Sequence, residues 1–210
     1  MHRIEELYAE RPDAADFARG YLNYVTDVLS RLDARAIAAF IDALMRAREL
    51  NARIFFLGNG GSASTASHFA LDIAVGSGSW QTPFRAISLV DNPATLTALA
   101  NDFGYEDVFV RQLRVQMAPG DVVVAISVSG NSPNVLAAVE YANANGAVTV
   151  GLTGFDGGRL GEIAKLVVHA PTNVGEYGPA EDVHMILDHL VAAFLAQACA
   201  TQTVGRDAGG

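Results

Sequence analysis

Cys199 is the only cysteine among 210 residues, so neither an intrachain disulfide nor a cysteine-rich metal site can form. Lysine is equally scarce: Lys165 stands alone, beside an apolar run and outside every glycine-rich turn. A Walker-type phosphate loop, which needs a lysine, is excluded. A Schiff-base lysine would have to be this residue, and its expected place at a strand entrance does not suit that task. No basic run offsets the formal charge of -9, so nucleic acid is not an expected partner. No apolar run is expected to reach the length of a bilayer span, and Glu5, Glu6 and Glu10 break the basic-then-apolar order of a signal peptide. These absences predict a cytoplasmic protein without membrane contact.

What is present is an α/β pattern. Half of the residues are apolar, enough for one domain with its own core. From Ile54 onward strand and helix patterns alternate, with strands expected near 54–57, 85–89, 122–126, 148–152 and 166–169. Val122 to Ile126 and Val148 to Leu152 are nearly continuous apolar runs, as parallel strands covered on both faces should be. Two amphipathic helices precede them. The first spans 14–32 with Phe17, Tyr21, Val25 and Leu29 at helical spacing, and Asp33 is placed to cap the second, which carries Ile37, Ile41, Leu44 and Met45. Their apolar faces predict core or subunit packing. A last helix is expected from Glu181 to about Ala200. The reading is one domain over 1–200, with helices over 1–50, an α/β core over 53–200 and a frayed tail over 201–210.

Two turns carry the chemistry. The first follows the strand Phe55-Phe56-Leu57 as Gly58-Asn59-Gly60-Gly61-Ser62 and opens a helix, which makes an anion cradle from amides that lack partners. The second, Ser127-Val128-Ser129-Gly130-Asn131-Ser132, also follows an apolar strand, and Pro133 suits the first turn of the next helix. Ligands of open parallel sheets bind beyond the strands' carboxyl ends. One polyol phosphate held between the two turns is the implied ligand. A rival pattern, Gly58, Gly60 and Ala63 with Asp91 after the second strand, fits a dinucleotide fingerprint but leaves the second turn unexplained. After Asp91-Asn92-Pro93 a helix to Ala100 is expected, then a polar loop from Asn101 to Tyr105.

Titratable groups gather on two helices. His68 and Asp72 are four apart and share a face, which suits a metal or a proton relay; an ordinary surface histidine is the plain alternative. On the last helix Glu181 and His189 fall within about 80° of one another, Asp188 is nearly in line with Glu181, and His184 lies on the flank. Two helices that each bring a carboxylate and an imidazole favour a site of nitrogen and oxygen donors, with zinc as its occupant.

Taken together, Gly58-Asn-Gly-Gly-Ser62 with His68-Phe-Ala70, Ala100-Asn-Asp-Phe-Gly104, Ser127-x-Ser-Gly-Asn-Ser132, Leu152-Thr-Gly154 with Asp156-Gly-Gly158, and Glu181-Asp-Val-His184 with His189 resemble the sugar isomerase (SIS) domain family. Within it the chain is most similar to the sedoheptulose 7-phosphate isomerases. The resemblance implies a flavodoxin-like three-layer sandwich with a five-stranded parallel sheet. It also implies a homotetramer with the N-terminal helices in its contacts. Ser127, Ser129 and Ser132 with the Val128 amide would hold the phosphate. Asn59, Gly60, Gly61, Ser62, Asn101, Asp102 and Glu181 would contact the sugar. His68, Asp72, Glu181 and His189 would bind zinc, with Asp72 and His189 catalytic and Asp72 touching substrate as well. The implied reaction is aldose-ketose isomerisation through a cis-enediolate. Asp72 stands where the family usually has glutamate, Glu181 where it has glutamine, and Val128 where threonine is common. A non-catalytic phosphosugar-binding or regulatory module, or an isomerase of another sugar phosphate, is the alternative.

Overall fold

The period-two side-chain alternation of a strand decides the layering. On β1 (Arg53–Gly58), Ile54 and Phe56 pack with Phe40, Phe69 and Leu187 on one face, while Phe55 and Leu57 pack with Leu113, Val135 and Val139 on the other. β1 pairs in parallel with β2 (Arg85–Ser88) and β3 (Val122–Ser127), and the sheet continues through β4 (Val148–Thr153) and β5 (Leu166–His169) in the order β2-β1-β3-β4-β5. Every strand lies within a residue of its expected bounds. The structure is a computed structural model that describes residues 2–10 and 12–207, with 202–207 as backbone alone.

Parallel strands need crossovers, and helices supply them. α1 (Arg3–Glu10), α2 (Ala14–Ser30) and α3 (Ala34–Glu49) precede the sheet. α4 (Gly61–Leu71), α5 (Pro93–Phe103), α6 (Val110–Gln116), α7 (Pro133–Ala144), α8 (Gly158–Ile163) and α9 (Tyr177–Asp207) follow in turn. α2, α3, α4 and α9 cover one face of the sheet, and α5 to α8 the other. The result is the expected three-layer sandwich. Asp33 caps α3 through Arg35 N at 2.8 Å, as expected, and Asn92 caps α5 through Thr95 N at 3.1 Å. Such caps contribute about 1 kcal/mol each. Phe69 stacks on Phe56 with ring centroids 5.3 Å apart, which pins α4 to β1.

Three departures from the sequence expectation matter. α1 was not foreseen, because its cap comes from far away: the Glu176 carboxylate accepts from the amides of Arg3 and Ile4. α5 runs on to Phe103, which places Asn101 and Asp102 on a helix and not in a loop. α9 starts at Tyr177 and continues to Asp207, into the stretch expected to fray. By length and composition α9 also meets the requirement for a membrane span over Tyr177–Thr201, against the expectation that no such run exists. Here it packs as a core helix, burying Val183, Leu187, Val191 and Leu195 against α3 and α4. The strand order reverses between β1 and β3, and that reversal leaves a crevice at their carboxyl ends.

Candidate active site

Both glycine-serine turns meet at that crevice. Gly58 is required there, since a Cβ would stand 2.8 Å from the Ser62 carbonyl oxygen and 2.9 Å from that of Ile126. A Cβ on Gly61 would overlap the Glu181 carboxylate, so α9 lays this acid against the first residue of α4. The helix dipole favours a carboxylate in that position. The first turn therefore faces an internal anion. Ser127, Val128, Ser129 and Ser132 line a cleft with Asn59, Ser62, Tyr177 and Glu181. The Ser127 and Ser132 hydroxyls lie 3.3 Å apart, and Gly130 N donates to Ser127 O at 3.0 Å to close the turn.

Asn59 is held from two sides. Its amide exchanges hydrogen bonds with Asn134 at 2.9 and 3.0 Å, and the Tyr105 hydroxyl donates to its Oδ1 at 2.9 Å. Neither Tyr105 nor Asn134 was singled out by sequence; an aromatic residue closing the polar loop was the only signal. Beyond Asn59 and Gly60, an adjoining cleft is lined by Ser64, Ser67 and Tyr105. Asn101 and Asp102 line neither cleft: they are exposed and bonded to each other at 2.9 Å. Asp91 accepts from Ser67, and Lys165 Nζ donates to the Ala147 carbonyl at 2.6 Å, a backbone staple at a strand entrance.

The charged groups lie about two turns further along α4 and α9. At Asp72 the α-helix gives way to a π-helical turn, Asp72–Gly76, a feature common at functional sites. His68 Nδ1 lies 3.8 Å from Asp72 Oδ2 and 2.6 Å from Asp188 Oδ2. The His68 and His189 rings meet edge to face at 5.1 Å. One donor atom each from His68, Asp72, Asp188 and His189 fall within 4.8 Å of one another, a group able to hold a metal ion. Glu181 is not a member of it. Seven residues along a helix are about 10 Å, which places Glu181 at the hydroxyl-lined end instead.

Electrostatics follow from these contacts. The hydrogen bond to Asp188 raises the His68 pKa, against the lowering effect of burial. Burial pushes the Asp188 carboxyl up while the His68 hydrogen bond pulls it down. Burial and then the neighbouring Asp182 raise Glu181. His184 is fully buried, its Nε2 is 3.1 Å from the Thr153 carbonyl, and burial lowers its pKa to about 4. It anchors α9 to β4 and takes no part in the donor group.

Residues 20–154 match the SIS domain model. This chain belongs to the SIS domain family. This SIS protein is 34% identical over 185 residues to the phosphoheptose isomerase of Rhodospirillum rubrum, covering 87% of this chain and 97% of that one. It is 39% identical over 155 residues to the phosphoheptose isomerase of Geobacter metallireducens, with 74% and 81% covered. Among solved structures, the phosphoheptose isomerase of Neisseria gonorrhoeae superposes with a TM-score of 0.77 at 28% identity, covering 88% of this chain and 96% of that one. The Vibrio vulnificus NanR protein, solved in complex with ManNAc-6P, shares the fold at a TM-score of 0.62 and 17% identity, with 90% and 66% covered. The dinucleotide reading fails against this SIS sheet, whose β2-β1-β3-β4-β5 order is flavodoxin-like.

Proposed function

We propose that this SIS protein is an aldose-ketose isomerase that converts sedoheptulose 7-phosphate to D-glycero-D-manno-heptose 7-phosphate. The observation that carries the reading is the pairing of a hydroxyl-lined cleft at the N-terminal parts of α4 and α9 with a His/Asp group about two turns further along the same two helices. A 7-phosphate sugar carries its phosphate and its reacting carbonyl at opposite ends, and the likeness to phosphoheptose isomerases spans nearly the whole chain. Ser127, Ser129 and Ser132 with the Val128 amide take the phosphate, an arrangement that needs no lysine. Asn59, Gly60, Gly61 and Ser62 take the sugar hydroxyls, and Glu181 lies beside them.

Asp72 and His189 are the acid-base pair. One removes the proton from the carbon beside the carbonyl and returns it to the neighbouring carbon; the other moves a proton between the two oxygens. Two imidazoles and two carboxylates match the donor preference of zinc, and when bound such an ion would polarise the carbonyl. Ile186, Leu190 and Phe194 form an exposed apolar stripe on α9, which supports assembly into a homotetramer. In such an assembly the exposed Asn101 and Asp102 reach a neighbour's site. A phosphorylated substrate supports a cytoplasmic location.

The test is turnover of sedoheptulose 7-phosphate in deuterated water. The expected result is heptose 7-phosphate product with deuterium on the carbon beside the carbonyl. Binding without exchange would make the protein a phosphosugar-binding module instead.

A further inference from the structure

The serine-turn cleft is lined by hydroxyls, an amide and a carboxylate, but one of its residues is of another kind. Tyr177, the first residue of α9, brings an aromatic ring to it and is 52% exposed. Its backbone is gripped on both sides. The Glu176 carboxylate accepts from the amides of Arg3 and Ile4 and from the Tyr24 hydroxyl, and a Cβ on Gly178 would stand 3.4 Å from the Tyr21 hydroxyl. The ring itself meets Phe155 edge to face, with centroids 4.9 Å apart. Phe155 sits at φ 51°, a left-handed conformation that a bulky side chain rarely adopts. Such strain persists only where the surroundings impose it, and it gathers at ligand clamps. The surroundings are tight here: a Cβ on Gly154 would stand 2.9 Å from Val128 Cγ1 and 3.1 Å from Ala180 Cβ, so the end of β4 is wedged between the serine turn and α9. In an edge-to-face pair Phe155 covers at most one face of the Tyr177 ring. The other face remains for a ligand.

We infer that Tyr177 is a specificity-determining residue whose ring packs on the C–H side of the sugar chain while the serine turn holds the phosphate. A sugar phosphate offers both surfaces, oxygen and carbon, whereas inorganic phosphate offers only the first. Pockets that combine an aromatic wall with a few placed polar groups select ligands in this way. The inference rests on the phosphosugar reading of the cleft and adds its carbon-side contact.

The experiment is equilibrium dialysis of the full-length protein against radiolabelled sedoheptulose 7-phosphate and, separately, labelled inorganic phosphate, with turnover followed in parallel. The parent is expected to bind the sugar phosphate more tightly than phosphate. Tyr177→Ala is expected to weaken the sugar phosphate by about three- to tenfold, the scale of one aromatic contact, and to hold inorganic phosphate within about twofold of the parent. Tyr177→Phe keeps the ring and should recover most of that loss. Equal weakening of both ligands in Tyr177→Ala, or parental sugar phosphate affinity in that variant, would overturn the assignment. So would a Tyr177→Phe variant as weak as Tyr177→Ala, or a parent that binds sugar phosphate no more tightly than phosphate. The expected affinity pattern without turnover would uphold the role of the ring and remove the isomerase reading instead.

Discussion

The two ends of the site are built by different means. The serine turn of the hydroxyl end is local: Ser127, Ser129 and Ser132 sit within one turn, and a strand followed by a Pro-led helix fixes their directions. The His/Asp end is assembled from residues far apart in sequence, and it exists only because α4 and α9 pack side by side. A local turn tolerates small shifts of the helices around it. A cluster shared between helices does not, because rotating α9 by one residue would exchange the neighbours of His68.

The sharpest way to break this contrast is to disable one end and leave the other intact. His189→Asn should reduce kcat by about 10²- to 10⁴-fold, the range for loss of a general acid or base, with KM little changed. Steady-state kinetics on sedoheptulose 7-phosphate checks this. A KM effect with kcat preserved would move His189 to the binding end.

The next largest effect concerns the anchor between the ends. His184 is neutral in the folded chain down to about pH 4, whereas in the unfolded chain it takes up a proton below about 6.5. The unfolded state therefore binds more protons between those values, and stability falls as pH drops from 6.5 to 4 and is flat above. The full loss is about 3 kcal/mol. Urea unfolding at several pH values should show this slope in the parent, and His184→Gln should flatten it. The difference isolates His184 from His68, whose raised pKa contributes in the opposite sense: stability present at low pH and lost as pH rises.

The contrast also explains what could be read from sequence. Continuous apolar strands, the Asp33 cap and both glycine turns are signals carried by adjacent residues, and the structure has each of them. His68 and Asp72 were legible for the same reason, as an i, i+4 pair. The choice between Glu181 and Asp188 was not, because helical angle alone puts both on one line and only the packing of α9 along α4 decides which acid meets His68. Asn134, Tyr105 and the Glu176 cap of α1 were invisible on the same ground: each acts on a partner distant in the chain.

Removing one hydroxyl from the local end should produce a smaller change of a different kind. Ser129→Ala deletes a donor to a charged phosphate, an interaction of about 2 kcal/mol, so KM should rise by roughly tenfold to thirtyfold. kcat should stay near the parental value. Inorganic phosphate should inhibit the variant less than the parent, whereas equal inhibition would remove Ser129 from the phosphate site.

Tyr105→Phe is the finest probe of the division. It deletes the 2.9 Å bond to Asn59 Oδ1, but the same oxygen still accepts from Asn134 at 3.0 Å, so Asn59 keeps its orientation with a weaker hold. Tyr105 is exposed, and water can replace its hydroxyl. The loss should be about 0.5–1 kcal/mol, a few-fold rise in KM with stability and kcat unchanged. A fall in kcat at constant KM would mean that Asn59 acts at the reacting carbon, and that the hydroxyl-lined end and the His/Asp end share a residue after all.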